Sequence, residues 1–418
     1  MDLLLEKVFE PDRWISAIET GNEKGISRSL LKELCLPEKR EALKQQIRRH
    51  EYKIAPPHEA QIPKDNGDFR TVYVNTGLDR VLLSIINDVV FELCHDMVHH
   101  SCKSYQKGLS CGKTVQQMSH KIAAMQEGII GIKIDLTKYF DSVPIEYIDA
   151  VFAKIETRTG KSCILDLLKQ YYHMDIVLDL QKKPIEKYSS LRQGCAFAAF
   201  LADTSLYDID ATISEMNVSY ARYSDDILII GENWENAYGQ LKNMLAEMSL
   251  VLNPKKVEIL RKDKWFKFLG FSMKDNLISL SEKRLKTFQQ EIEDCTIEQN
   301  TDDITKIISA VNRYLYTGPD GYCWATSVLP VINAEKDIQT LNGFIMDAIR
   351  AACTGKTKIG GLGIKLSGTD GVITHEKGRH VKQNKEKIPT LSNYMTLKCM
   401  QNAILTSKQA FDMLVATM

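Results

Sequence analysis

Two strand-like segments, residues 218–223 and 227–230, are separated only by Ser224-Asp225-Asp226. So short a connection can join only antiparallel strands, because a parallel pair requires a crossover of a dozen or more residues. The second segment, Ile227-Leu228-Ile229-Ile230, is apolar throughout and reads as buried. Two adjacent carboxylates therefore stand at the end of a buried hairpin. A third, Asp135, ends another apolar, β-branched run over residues 129–134. Carboxylates beside buried strands are costly unless they are ligated or paired. An Asp-Asp pair alone is ordinary turn chemistry; its combination with Asp135 points further.

The rest of the chain alternates strands and helices irregularly. Residues 1–53 carry helical spacing, and Ala55-Pro56-Pro57 ends it. Residues 60–63 read as extended, Asn66-Gly67 as a hairpin turn, and residues 71–74 as the returning strand. A long helix is expected from Leu78 to His99, one opened by Pro144, one over 196–214 and one over 236–248. Asn253-Pro254 is a turn, 257–260 a strand, and 265–273 a strand or hairpin. Residues 282–316 are again helical. This order favours an α+β fold, an antiparallel sheet with helices on one face, over a doubly wound parallel sheet.

A length of 418 residues suggests two or three domains, and 44% hydrophobic with 26% charged residues is ordinary globular composition. No secretory signal opens the chain, no run approaches the ~18 apolar residues of a membrane helix, and a cytoplasmic protein without a membrane partner is expected. The 10 cysteines show no CxxC and fit reduced thiols. Formal net charge is zero, yet the charge is uneven. Lys39, Arg40, Lys44, Arg48, Arg49 and Lys53 crowd one region; Lys356, Lys358, Lys365, Lys377, Arg379, Lys382, Lys385 and Lys387 crowd another. Each is a solvated face or a local nucleic-acid footprint. His95 and His99 share a face of the expected helix, but no second ligand pair makes a zinc site of them. Gly360-Gly361-Leu362-Gly363 lacks the Lys-Ser/Thr of a phosphate loop.

Three carboxylates near one sheet edge suit two-metal phosphoryl transfer, in which two divalent cations clamp the attacking and leaving oxygens. Magnesium prefers oxygen ligands and keeps some water, so few carboxylates suffice.

A series of blocks carries a resemblance over residues 60–275. In order they are Ile62-Pro63-Lys64 with Arg70, Tyr105-Gln106-Lys107-Gly108, Lys133-Ile134-Asp135-Leu136-Thr137-Lys138-Tyr139-Phe140-Asp141, Leu191-Arg192-Gln193-Gly194, Tyr223-Ser224-Asp225-Asp226, Leu252-Asn253-Pro254-Lys255-Lys256 and Phe268-Leu269-Gly270-Phe271. The series resembles bacterial reverse transcriptases of the group II intron and retron type, and most of all the defence-associated ones. The resemblance implies a right-hand polymerase fold. Residues 1–59 would be an N-terminal helical region, 60–275 fingers and palm, 276–325 a helical thumb, and 326–418 a mostly helical, RNA-binding C-terminal extension.

It further implies roles. Asp135 and Asp225 would bind two Mg²⁺ ions, with Asp226 and the Leu136 carbonyl assisting. Phe140 stands where the family places an aromatic gate against a ribose 2′-hydroxyl. Lys64 and Arg70 would hold the triphosphate, and Gln193, Gly194 and Tyr223 would line the nucleotide pocket, where glycine permits close approach. Lys256, with Lys255 as rival, would give a proton to pyrophosphate. Phe268, Leu269 and Gly270 correspond to the primer grip. The partners implied are dNTPs, a DNA product and an RNA template, with a homo-oligomer compatible. The absence of an appended zinc-bearing endonuclease resembles the antiphage group, whose members often work with a structured non-coding RNA. Rival readings are a group II intron maturase-type enzyme, an RNA-dependent RNA polymerase, against which Phe140 speaks, and a catalytically silent RNA-binding scaffold.

Overall fold

The computed structural model describes residues 2–373 apart from 22–26, 35, 65–67, 107, 189, 300, 302, 318–321 and 355–362. It is α+β, and its strands pair mainly antiparallel. The chain forms two compact units, Met1–Gly108 with Gly131–Glu258, and Leu109–Ile130 with Ile259–Met418.

The first unit begins with helices Leu3–Val8, Pro11–Gly21, Arg28–Leu34 and Pro37–Arg48. Asp2 caps the first by accepting from the Leu5 N–H, and Pro37 opens the last, where its missing donor costs nothing. Strands β1 (His58–Pro63) and β2 (Phe69–Val74) pair antiparallel with Ile62 opposite Arg70. The expected Asn66-Gly67 turn lies outside the described residues.

Helix Gly77–Leu93 buries Val81, Leu82, Ile85, Ile86, Val89 and Val90, the apolar stripe of a 3.6-residue period. It stops six residues short of His99. A 3₁₀ turn, His95–Met97, follows, and the chain then runs beside Arg222: the Arg222 N–H donates to the Ser101 carbonyl and the Lys103 N–H to that of Arg222. With the helix ended at Leu93 and His95 in a 3₁₀ turn, His95 and His99 do not share an α-helical face.

The sheet that matters most contains β3 (Ile129–Asp135). After β4 (Ile176–Leu178) and β5 (Pro184–Glu186), which pair with each other, come β6 (Ser219–Tyr223) and β7 (Asp226–Ile230). β7 lies between β6 and β3, antiparallel to both. Ile132 faces Ile229 and Ile134 faces Ile227, and these four belong to the helix-packed core. Strand alternation places Asp135, Asp226 and Tyr223 together on the opposite face. Gly131 lets β3 approach β7 closely, since a Cβ there would lie 2.1 Å from the Ile229 carbonyl oxygen.

The helix expected over 196–214 is two, Ala198–Thr204 and Tyr207–Ser214. The Thr204 and Ser205 hydroxyls bond back to the Phe200 and Leu201 carbonyls. Carbonyls of the first helix's last turn, Ala202 and Asp203, accept from the Arg222 guanidinium at 3.2 and 2.8 Å. The break thus supplies acceptors for a buried cation.

In the second unit, β8 (Glu258–Arg261) enters from the first. β9 (Phe266–Phe268), β10 (Phe271–Lys274) and β11 (Leu277–Leu280) form an antiparallel sheet. Helices Cys111–Ala123, Glu282–Cys295, Ile304–Tyr316 and Glu335–Thr354 also belong to it. Ser281 caps Glu282–Cys295 by accepting from the Arg284 N–H. Asp337 accepts from the Ser279 and Ser367 hydroxyls, tying the sheet to the last described segment. No helix among the described residues is long and apolar enough to cross a membrane.

Candidate active site

Asp135 and Asp226 are cross-strand partners of β3 and β7, and Asp225 is the last residue of the β6–β7 turn. The Leu136 N–H donates to the Asp225 carbonyl at 3.2 Å, which locks the turn to the end of β3. Beyond Asp135 a second segment is stitched on: Thr137 N–H to the Val251 carbonyl at 2.8 Å, and Asn253 N–H to the Asp135 carbonyl at 2.9 Å. Asn253 also caps the 3₁₀ turn Pro254–Lys256. That cap aims the Lys256 side chain, whose ammonium donates to Asp135 Oδ2 at 2.6 Å.

The electrostatics follow from burial and crowding. Burial, then the Asp135 charge, raises the Asp225 carboxyl above its ordinary range, against the opposing charges of Lys256 and Arg70. Burial, then Asp225 and Asp135, pushes Asp226 up to about 6. Crowding at one strand end thus destabilises the charged forms of Asp225 and Asp226, and a cation relieves both. The donors are carboxylate oxygens, which suit a hard divalent ion. The ammonium on Asp135 already shows that carboxylate open to a cation. Among the described residues no three His, Cys, Asp or Glu side chains close on one point, so the acids adjoin without forming a finished cage.

The β1–β2 hairpin brings Arg70, exposed on β2, close enough for its charge to act on Asp225. Lys64 is exposed at the hairpin's far end, where its N–H donates to the Asp68 carbonyl at 2.7 Å. Gln193 accepts from the Tyr73 N–H of β2 at 2.6 Å. Gly194 has φ +105°, and a Cβ there would meet the Tyr73 carbonyl oxygen at 2.9 Å. The close approach that this glycine allows is to β2 itself. Phe140 is half-buried, its ring centroid 5.7 Å from that of Tyr139, and its carbonyl accepts from Leu191 N–H at 2.9 Å. Tyr223 is half-buried on the carboxylate face, 6.5 Å between ring centroids from Tyr105. Leu136 is buried. All of these lie in the first unit. Phe268, Leu269 and Gly270 lie in the second, at the β9–β10 turn, where Leu269 and Gly270 both have positive φ.

Arg222, Asp203, Asp210 and Ser104, all buried, stand behind the turn and belong to none of the sequence motifs assigned a role. A guanidinium inside an otherwise apolar strand, followed by a hairpin turn, was the available signal: it demands a counter-ion, and two aspartates stand in the apolar helices just upstream.

The family model described as reverse transcriptase (RNA-dependent DNA polymerase) matches residues 62–273. No curated protein matches the chain. Among solved structures, it is similar to telomerase from Candida albicans in complex with a TWJ fragment of telomeric RNA (TM-score 0.41, 12% identity, covering 74% of this chain and 60% of that one). It is also similar to apo telomerase from Candida tropicalis (TM-score 0.42, 12% identity, 62% of this chain and 55% of that one). A form of the latter truncated from its C-terminal domain gives a TM-score of 0.40 at 12% identity, covering 57% of this chain and 59% of that one. The chain thus spans less than two thirds of the length of each.

Proposed function

Given that this chain belongs to the reverse transcriptase family, we propose that it is an RNA-directed DNA polymerase with its catalytic centre at Asp135, Asp225 and Asp226. The observation that carries this reading is the register of β3 against β7, which pairs Asp135 with Asp226 beside Asp225. In this reading Asp135 and Asp225 hold two divalent ions, taken to be Mg²⁺, with Asp226 and the Leu136 carbonyl assisting. Such ions, when bound, activate the primer hydroxyl and neutralise charge on the triphosphate.

The protein's own groups do the rest. Arg70 and Lys64 bind triphosphate oxygens, Arg70 through its planar fork. Gln193, Gly194 and Tyr223 shape the nucleotide pocket, and Phe140 excludes a 2′-hydroxyl. The Lys256 ammonium delivers a proton to the departing pyrophosphate. Residues 268–270 hold the primer strand. Residues 60–275 act as fingers and palm, 276–325 as thumb, 1–59 as a helical N-terminal region and 326–418 as an RNA-binding extension.

The finer reading, a cytoplasmic enzyme copying a structured non-coding RNA in antiphage defence, rests on the motif series and on the basic stretches near 39–53 and 356–387. The direct test of the activity is primer extension on an RNA template with purified protein. Incorporation of dNTPs by the native chain, abolished in an Asp225→Ala/Asp226→Ala variant that still folds, is the expected result; equal incorporation by both would refute the assignment. Plaque counts with the native and double-variant genes test the defence role.

A further inference from the structure

Ser224 is the first central residue of the two-residue β6–β7 turn and has φ +58°, a left-handed conformation that glycine adopts freely and serine does not. Its two backbone polar groups are both held by side chains. The Ser104 hydroxyl accepts from the Ser224 N–H at 3.0 Å, and Arg222 Nη1 donates to the Ser224 carbonyl at 3.2 Å. Behind each stands an aspartate. Ser104 donates its own proton to Asp203, which turns a lone pair towards Ser224. Arg222 Nε and Nη2 bond to Asp210 at 2.8 and 2.6 Å, and its remaining donors go to the Ala202, Asp203 and Ser224 carbonyls. All five guanidinium protons have acceptors, so this buried cation is fully satisfied. The Tyr220 hydroxyl completes Asp210 at 2.8 Å.

We propose that Ser104 and Arg222 are positioning residues that clamp Ser224 in its left-handed conformation and so set Asp225 and Asp226 at the metal-binding strand end. Neither reaches the proposed metals or substrate. Both act through one strained residue, and the inference rests on the carboxylates being the cation site proposed above. The physical reason for two clamps is that a serine in this turn position relaxes towards negative φ once released. That relaxation rotates the following peptide, carrying the Asp225 carbonyl away from the Leu136 N–H.

The test is a double-mutant cycle read by Mn²⁺ binding, followed by electron paramagnetic resonance of the full-length protein, with dNTP incorporation in parallel. Ser104→Ala should weaken Mn²⁺ binding about tenfold, the worth of one lost hydrogen bond to a buried N–H. In a Ser224→Gly background, where left-handed φ needs no clamp, the same Ser104→Ala change should cost less than about threefold. Arg222→Lys keeps a counter-charge for Asp210 but loses the fork, and should follow the same pattern. Melting curves confirm that each variant folds. A Ser104→Ala loss of equal size in both backgrounds would mean general core damage and would overturn the proposal, as would unchanged Mn²⁺ binding in Ser104→Ala. If the native protein makes no DNA but shows the glycine rescue in Mn²⁺ binding, the clamp stands and the polymerase reading falls.

Discussion

The Lys256 ammonium lies 2.6 Å from Asp135 Oδ2, with the lysine side chain 56% exposed and the aspartate side chain 7% exposed. An exposed chain has reached in to neutralise a buried carboxylate. Lys256 thereby has two relations to the site: it competes with a divalent ion for Asp135, and it is the nearby acid proposed for the leaving group.

These two relations separate in one variant. Lys256→Ala should lower the maximal rate of dNTP incorporation by about 10²-fold, as loss of a general acid does. At the same time it should reduce the Mg²⁺ concentration for half-maximal activity, because the competitor is gone. A magnesium titration of both proteins checks this, and a raised magnesium requirement in the variant would count against the competition.

The metal-free protein should respond to pH through Asp226, whose carboxyl is raised from 3.8 to about 6 by burial and its acidic neighbours. A raised carboxyl contributes stability that is fully present below pH 3.8 and lost as pH rises through about 6. Asp203, raised to about 7 chiefly by burial, acts with the same sign. Metal binds only the ionised acids. Thermal melting with and without Mg²⁺ should therefore show little metal stabilisation at pH 5 and a clear upward shift at pH 8. A metal shift independent of pH would contradict the assignment.

Phe140 is half-buried against Tyr139, so its ring position is set by packing. Phe140→Ala should raise incorporation of ribonucleotides relative to deoxyribonucleotides by about tenfold or more, in the range of one steric contact. Competing kcat/KM values for dNTP and NTP decide it, and unchanged discrimination would remove the gate from this residue.

The Arg222–Asp210 pair is fully buried on both sides. Asp210→Asn should destabilise the protein by about 3–5 kcal/mol, because the guanidinium is left without its charge partner. Chemical denaturation measures this, and a loss below about 1 kcal/mol would show that the remaining acceptors suffice.

Much of this is legible in the sequence. The short connection between residues 223 and 227 dictates a hairpin, and the apolar, β-branched run over 129–134 dictates a buried strand that ends at Asp135. What the sequence hid is long-range. The helix after Gly77 carries helical periodicity to His99 but ends at Leu93 in a 3₁₀ turn, after which residues 101 and 103 bond to Arg222, more than a hundred positions away. The break after Thr204 is likewise tied to that arginine. Gly194 is expected from the sequence to let a nucleotide approach closely, and only the fold brings Tyr73 of β2 against it.

In the proposed mechanism Asp135, Asp225 and Asp226 jointly bind the catalytic cations. Iron-directed backbone cleavage reads this most directly: Fe²⁺ substituted for Mg²⁺ generates hydroxyl radicals where it is bound. Cuts clustered at residues 135–136 and 224–226, suppressed by excess Mg²⁺ and absent in Asp225→Ala/Asp226→Ala, are the predicted result. Cuts elsewhere, or cuts at these positions that persist in the double variant, would contradict it.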